Sequence, residues 1–94
     1  MVGLTQEIIE KFSTPIIKVL KSNKGKDMRH ELHVKCYTIC NIADRDILLK
    51  QLRKYGDDVN VTDWNHLTLY EVKGVDSFDL EKLISFLKKT LTLN

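Results

Sequence analysis

Residues 31–42, ELHVKCYTICNI, decide the fold that the sequence predicts. Apolar or small residues occupy every second position of this segment, and the positions between them hold His33, Lys35 and Tyr37 among others. Side chains of a β-strand point alternately to its two faces, so this pattern predicts one long strand with a single buried face. We expect this strand to lie centrally in a sheet.

The rest of the chain after this strand predicts a helix, a hairpin and a second helix. Residues 44–55 begin with acidic and end with basic side chains, as suits the helix dipole, and they stop at Gly56. Residues 59–63 and 67–73 are short β runs on either side of a Trp-Asn-His turn, which predicts a hairpin. Leucines at helical spacing then predict a final helix that begins at Asp76.

The N-terminal segment, residues 4–22, also carries apolar residues at helical spacing. Pro15 interrupts it, and a proline costs about 3 kcal/mol in the interior of a helix but suits the first helical position. We therefore expect two short helices or one kinked helix here. A polar turn at residues 23–27 separates this segment from the long strand.

The predicted order is α(α)-β-α-β-β-α in one domain, residues 1–94. This order predicts an α+β fold in which a three-stranded, mainly antiparallel sheet has a ferredoxin-like, split β-α-β arrangement, with an additional N-terminal helical segment. A right-handed crossover would place the third strand between the first and the second. A chain of this length builds one modest core, and we expect Leu52, Leu83 and Leu87 to be among its most buried residues.

Composition and cysteine usage point to an intracellular protein. No apolar run approaches the ~18 residues of a membrane span, and the N-terminus lacks the basic and then apolar pattern of a secretory signal. Cys36 and Cys40 would lie about 13 Å apart along one strand, too far for a disulfide. Free thiols are typical of a reducing compartment, so we expect a cytoplasmic protein whose two thiols are buried and unreactive.

The sequence offers little for catalysis. His30, His33 and Cys36 have the spacing of metal ligands, but a strand turns the two histidines to opposite faces, and a zinc site needs at least three converging ligands. We find no nucleophile–base pair, no paired carboxylates and no glycine-rich phosphate loop. We therefore expect a non-catalytic protein that uses no metal or other cofactor.

A protein-interaction or regulatory module is the first of two function classes that remain. In a three-stranded sheet, the long strand would expose a free edge of backbone groups, and a second copy of the chain would pair with it to form a homodimer. The candidate edge residues are Leu32, Val34, Cys36, Tyr37 and Ile39.

A nucleic-acid-binding module is the alternative. Residues 18–35 concentrate positive charge, which would attract phosphates. The strand face with His33, Lys35 and Tyr37 mixes basic and aromatic groups, as do surfaces that stack single-stranded bases. The hairpin would add Asn60, Thr62 and Trp64 to that face. The candidate contacts are Lys21, Lys24, Lys26, Arg29, Lys35 and Tyr37.

Whether this strand face is open depends on the N-terminal segment. The apolar stripe within residues 4–22 needs an apolar partner, and Tyr37 and Ile39 would provide one. We therefore expect the N-terminal helices to cover the face. An open face would favour nucleic-acid binding instead, although the aromatic octapeptide of the RNA-recognition motif is absent from the sequence.

Overall fold

A computed structural model describes residues 6–23 and 30–93 of the chain. Their four strands form one antiparallel sheet in the order β1-β2-β4-β3. The elements are α1 (Gln6–Phe12), β1 (Ile16–Asn23), β2 (His30–Thr38), α2 (Arg45–Leu52), β3 (Asp58–Trp64), β4 (Leu67–Val75) and α3 (Leu80–Leu91).

The fold is α+β, but the predicted three-stranded sheet with a ferredoxin-like arrangement is wrong. The additional strand is β1, for which the sequence predicted the second half of a helix. Pro15 lies buried between the end of α1 and the start of β1, and the β-branched residues Ile16, Ile17 and Val19 favour an extended backbone. β1 pairs with β2, whereas the ferredoxin-like plan places a helix directly after its first strand.

The other three strands lie in the order that the sequence predicted. β4 is between β2 and β3, and it forms the expected hairpin with β3. Asn65 in the hairpin turn has a φ of 49°, a left-handed conformation that asparagine tolerates better than most residues. Gly74 is within β4 rather than at its end, and its φ of 73° accompanies a register shift in the pairing of β2 with β4.

An aspartate side chain makes a local hydrogen bond shortly before the start of each of the helices α2 and α3. The side chain of Asp44 accepts a hydrogen bond of 3.3 Å from the backbone N–H of Ile47, which caps α2. The side chain of Asp76 accepts one of 3.0 Å from the backbone N–H of Phe78. That bond forms a turn, so α3 begins at Leu80, four residues later than the sequence predicted.

The core lies between one face of the sheet and the helices α2 and α3. Leu52, Leu83 and Leu87 are fully buried, which confirms their predicted place in the core. Thr38 is the one buried polar side chain among the described residues. Its hydroxyl donates to the carbonyl of Leu91 at 3.4 Å and accepts from the backbone N–H of Cys40 at 2.9 Å, so its burial leaves no unmet hydrogen bond.

The predicted dimer edge is not an edge. β2 pairs with β1 on one side and with β4 on the other, so its backbone groups are used within the chain. Ile39 follows the end of β2 and belongs to no strand. The four residues of the predicted edge that are within β2 are therefore internal to the sheet: Leu32, Val34, Cys36 and Tyr37. The free edges of the described sheet are β1 and β3.

We expect Leu87→Ala to lower the free energy of unfolding by about 2–5 kcal/mol, because the substitution leaves a cavity at a fully buried position. Urea denaturation of the wild-type and variant proteins measures this difference. Lys88→Ala, at the exposed next position of α3, is the control and should change stability little. A loss below about 1 kcal/mol for Leu87→Ala would show that the α3 stripe is not part of the core.

The Cys36 thiol should react only when the protein unfolds. It is fully buried, and burial raises the pKa of the Cys36 thiol to about 12, so almost none of the reactive thiolate is present near pH 8. Cys40 is half-buried just after β2, so Cys40→Ser is needed to isolate the signal. In that variant, modification by a thiol reagent should follow the rate of unfolding. Fast modification of the native protein would contradict the burial of Cys36.

Candidate nucleic-acid interface on the outer sheet face

The outer face is the side of the sheet that points away from α2 and α3. Its side chains follow from the strand register, because paired residues of neighbouring strands share a face. The register gives two rows across all four strands: Lys18, Lys35, Glu71 and Asn60 in one, and Ile16, Tyr37, Leu69 and Thr62 in the next. Trp64 is on the same face of β3, as predicted for it together with Asn60 and Thr62.

Of the two N-terminal helices predicted to cover this face, the described residues form only one, α1. Half of the segment is the strand β1, and α1 has only seven residues, none of them buried. The end of the α1 segment is tied to the C-terminal segment, where the carbonyl of Ser13 accepts a hydrogen bond of 2.8 Å from the backbone N–H of Leu93. On this face Lys18 and Trp64 are exposed and Lys35 and Tyr37 are half-buried, so these four side chains reach solvent.

Two aromatic rings meet on the outer face. The ring centroids of Tyr37 and Trp64 are 6.4 Å apart, with an angle of 35° between the ring planes. Tyr37 belongs to β2 and Trp64 to β3, so their contact spans β4, which lies between those strands. Leu69 of β4 is only 5% exposed, whereas Trp64 is 49% exposed. The rings shield the leucine and still present an aromatic surface to solvent.

Two lysines lie directly opposite each other beside the rings. Lys18 of β1 is the register partner of Lys35 of β2, and like charges in this position repel each other. The Lys18 ammonium is 5.8 Å from the centre of the Tyr37 ring, a cation–π distance. Neither lysine forms an ion pair with another described residue. The face therefore holds two adjacent positive charges that no carboxylate of the described residues pairs with.

One carboxylate of the face, that of Glu71, is hydrogen-bonded to a histidine. Glu71 is the register partner of Lys35 on β4, but its Oε2 atom is 2.9 Å from Nε2 of His33, and both side chains are about one-fifth exposed. The Glu71 carboxylate thus pairs with His33 and not with Lys35. The predicted site residues His33, Lys35 and Tyr37 do share one face, and the structure gives His33 this pairing role.

The other predicted contacts do not join this group. Lys21 of β1 is exposed, but its register partner is the core residue Leu32, so its side chain belongs to the opposite face. Lys24, Lys26 and Arg29 lie outside the described residues and stay predictions. Lys18 is not among the contacts that the sequence predicts, because its place beside Lys35 follows only from β1 being a strand.

A second polar cluster lies on the helix side of the sheet. The Arg45 guanidinium donates two hydrogen bonds of 2.9 and 3.0 Å to the Asp63 carboxylate, and the Thr68 hydroxyl donates one of 3.0 Å. The bond from Arg45 is the main reason that the pKa of Asp63 is lowered. The cluster ties the start of α2 to the β3–β4 hairpin, and we assign it a structural role.

The described residues were also compared with the requirements of metal binding and of membrane spanning, and the chain with known proteins. Within residues 6–23 and 30–93, no three His, Cys, Asp or Glu side chains are grouped so that they could hold a metal ion. None of the helices in those ranges is long and apolar enough to cross a membrane. Comparisons with protein-family models, curated proteins and solved structures found no match in any of the three.

We expect Tyr37→Ala to shift the fluorescence of Trp64 to longer wavelength and to increase its quenching by acrylamide, because the indole loses the ring beside it. Trp64 is the only tryptophan of the chain, so the signal has one source. Tyr55→Ala is the control, since Tyr55 stacks on Phe86 at 6.1 Å and not on Trp64. Equal spectral changes in both variants would contradict the ring contact on the outer face.

Proposed function

We propose that the outer face binds single-stranded nucleic acid. Tyr37 and Trp64 would stack against bases, and Lys18 and Lys35 would contact the phosphates on either side of them. The observation that carries the proposal is the contact between half-buried Tyr37 and exposed Trp64, beside two lysines that form no ion pair with a carboxylate of the described residues. Binding sites for single strands combine these same two features, a stacking surface and positive charge along the backbone path.

The charges on the face support a ligand that carries phosphates. Lys18 and Lys35 repel each other in the free protein because they are direct register partners. A phosphate between or beside them would neutralise that repulsion and release its own counterions to solvent. The Glu71 carboxylate is hydrogen-bonded to His33 at 2.9 Å and forms no ion pair with Lys18 or Lys35, so both ammonium groups are available to a phosphate.

The shape of the face supports a single strand rather than a duplex. Four strands span about 14 Å from the first to the last, since neighbouring strands are about 4.8 Å apart, which suits a few unstacked nucleotides. Aromatic side chains can stack only on bases that are already unpaired and splayed out. In a duplex the bases stack on each other, so Tyr37 and Trp64 would contribute little.

A protein-interaction module is the second candidate. It is supported by the apolar side chains that β1 leaves partly exposed, Val19 at 38% and Leu20 at 47%. A contact made by apolar side chains would depend weakly on salt, whereas phosphate contacts depend on it strongly. The two candidates rest on different side chains, and both can hold for one protein.

Fluorescence anisotropy with a short labelled oligouridine tests the phosphate contacts. We expect affinity to fall as salt rises, and we expect Lys18→Ala with Lys35→Ala to flatten the log–log slope by about 1.4, or 0.7 for each lost single-strand contact. The control replaces Lys88 and Lys89, both exposed on α3, by alanine and removes the same charge elsewhere. No binding of the wild-type protein at low salt, or equal effects of the two double variants, would overturn the proposal.

The stacking contacts are tested in the same assay. Trp64→Ala should weaken binding roughly 5- to 150-fold, which corresponds to about 1–3 kcal/mol for one stacked base. Tyr55→Ala, which removes a ring on the helix side, should leave the affinity unchanged. An unlabelled duplex should compete poorly with the single strand. Undiminished binding by Trp64→Ala would show that Trp64 does not stack on bases.

A further inference from the structure

β1 is an edge strand with the features of a pairing surface. Among the described residues it pairs with β2 alone, so one row of its backbone N–H and C=O groups faces outward. It contains no proline, and its outward row is flanked by the partly exposed Val19 and Leu20. Free edges of this kind template the addition of another strand.

The two free edges differ in the aliphatic side chains that they carry. β3 has two charged residues, Asp58 and Asp63, and its valines alternate with polar residues. β1 also has two charged residues, Lys18 and Lys21, but four of its first five residues are aliphatic. β1 therefore offers the longer aliphatic run to a second strand.

We propose that a second copy of this chain pairs with β1, in an antiparallel β1–β1 contact around a two-fold axis at Val19. Such an axis is perpendicular to the sheet, makes the contact self-complementary and keeps both outer faces on the same side. The resulting sheet would be continuous, with four strands from each copy. This proposal rests on the edge of the sheet and is independent of nucleic-acid binding.

The sequence of β1 selects this register. With the axis at Val19, Lys18 lies opposite Leu20 of the partner subunit and Lys21 lies opposite Ile17 of the partner subunit. The aliphatic stem of each lysine then covers an apolar residue while its ammonium reaches solvent. All four apolar residues of the strand take part: Ile16, Ile17, Val19 and Leu20.

The neighbouring registers are worse. An axis at Lys18 places that lysine directly opposite its own copy, and like charges in this position are destabilising. An axis at Leu20 leaves Ile16 beyond the paired residues. Axes between two residues are excluded, because they would pair side chains from opposite faces of the sheet.

Sedimentation velocity over a range of concentrations tests the dimer. We expect the wild-type protein to form a dimer at high micromolar concentration, and we expect Val19→Lys to be monomeric, because two lysines would meet on the axis. Thr62→Lys adds the same charge to the other edge strand, β3, and should still dimerise. A monomeric wild-type protein, or a dimer lost only in Thr62→Lys, would overturn the proposal.

A disulfide test fixes the register without relying on a disrupted interface. In a Cys40→Ser background, Val19→Cys should cross-link two chains under mild oxidation, since the two thiols face each other across the axis. Leu20→Cys should cross-link poorly, because its partner position is Lys18. More efficient cross-linking of Leu20→Cys, or species that keep growing with concentration through β1–β3 contacts, would contradict the two-fold axis at Val19.

Discussion

The alternation of side chains along β2 is the constraint on which the rest of the structure depends. Leu32, Val34 and Cys36 point into the core, and the residues between them point to the outer face. A slip of one residue would exchange the two sets, so the burial of the first set fixes the exposure of the second. Pairing with β1 and β4 carries this alternation across the sheet.

The same constraint explains why lysine and aromatic side chains lie together on the outer face. Once Cys36 is buried, Lys35 and Tyr37 must lie on the outer face, and the register brings Lys18 and Leu69 beside them. Trp64 reaches the group from β3 because its ring contacts Tyr37 above β4. The candidate interface is thus a consequence of strand register and not of any local motif.

Sequence periodicity predicted correctly those elements whose apolar pattern fits only one type of secondary structure. The leucines of α3 fit only a helical stripe, so the core residues Leu83 and Leu87 were predicted correctly. Residues 31–42 were predicted as one strand; β2 ends at Thr38, four residues earlier, and the shared face of His33, Lys35 and Tyr37 is as predicted. Residues 4–22 were ambiguous, because runs of apolar residues around Pro15 match a helix as well as a strand. Residues 16–23 form a strand because they pair with β2. Such pairing depends on residues distant in the sequence, so the local pattern of apolar residues does not reveal it.

That one error changed both the edge and the site. Without β1, β2 appeared to be an edge strand, and Lys18 appeared to belong to a helix far from Lys35. Because β1 pairs with β2, the free edge of the sheet is β1 and not β2, and Lys18 lies beside the ring of Tyr37. Lys18 consequently belongs both to the candidate interface and to the edge strand, so a dimer built on β1 would set two outer faces side by side.

The most direct test of nucleic-acid binding by the outer face is a map of amide and indole chemical shifts during titration with oligouridine. The account predicts the largest changes at Lys18, Lys35, Tyr37 and the indole N–H of Trp64, with little change along α2 and α3. Changes confined to α3, or no changes at low salt, would contradict it.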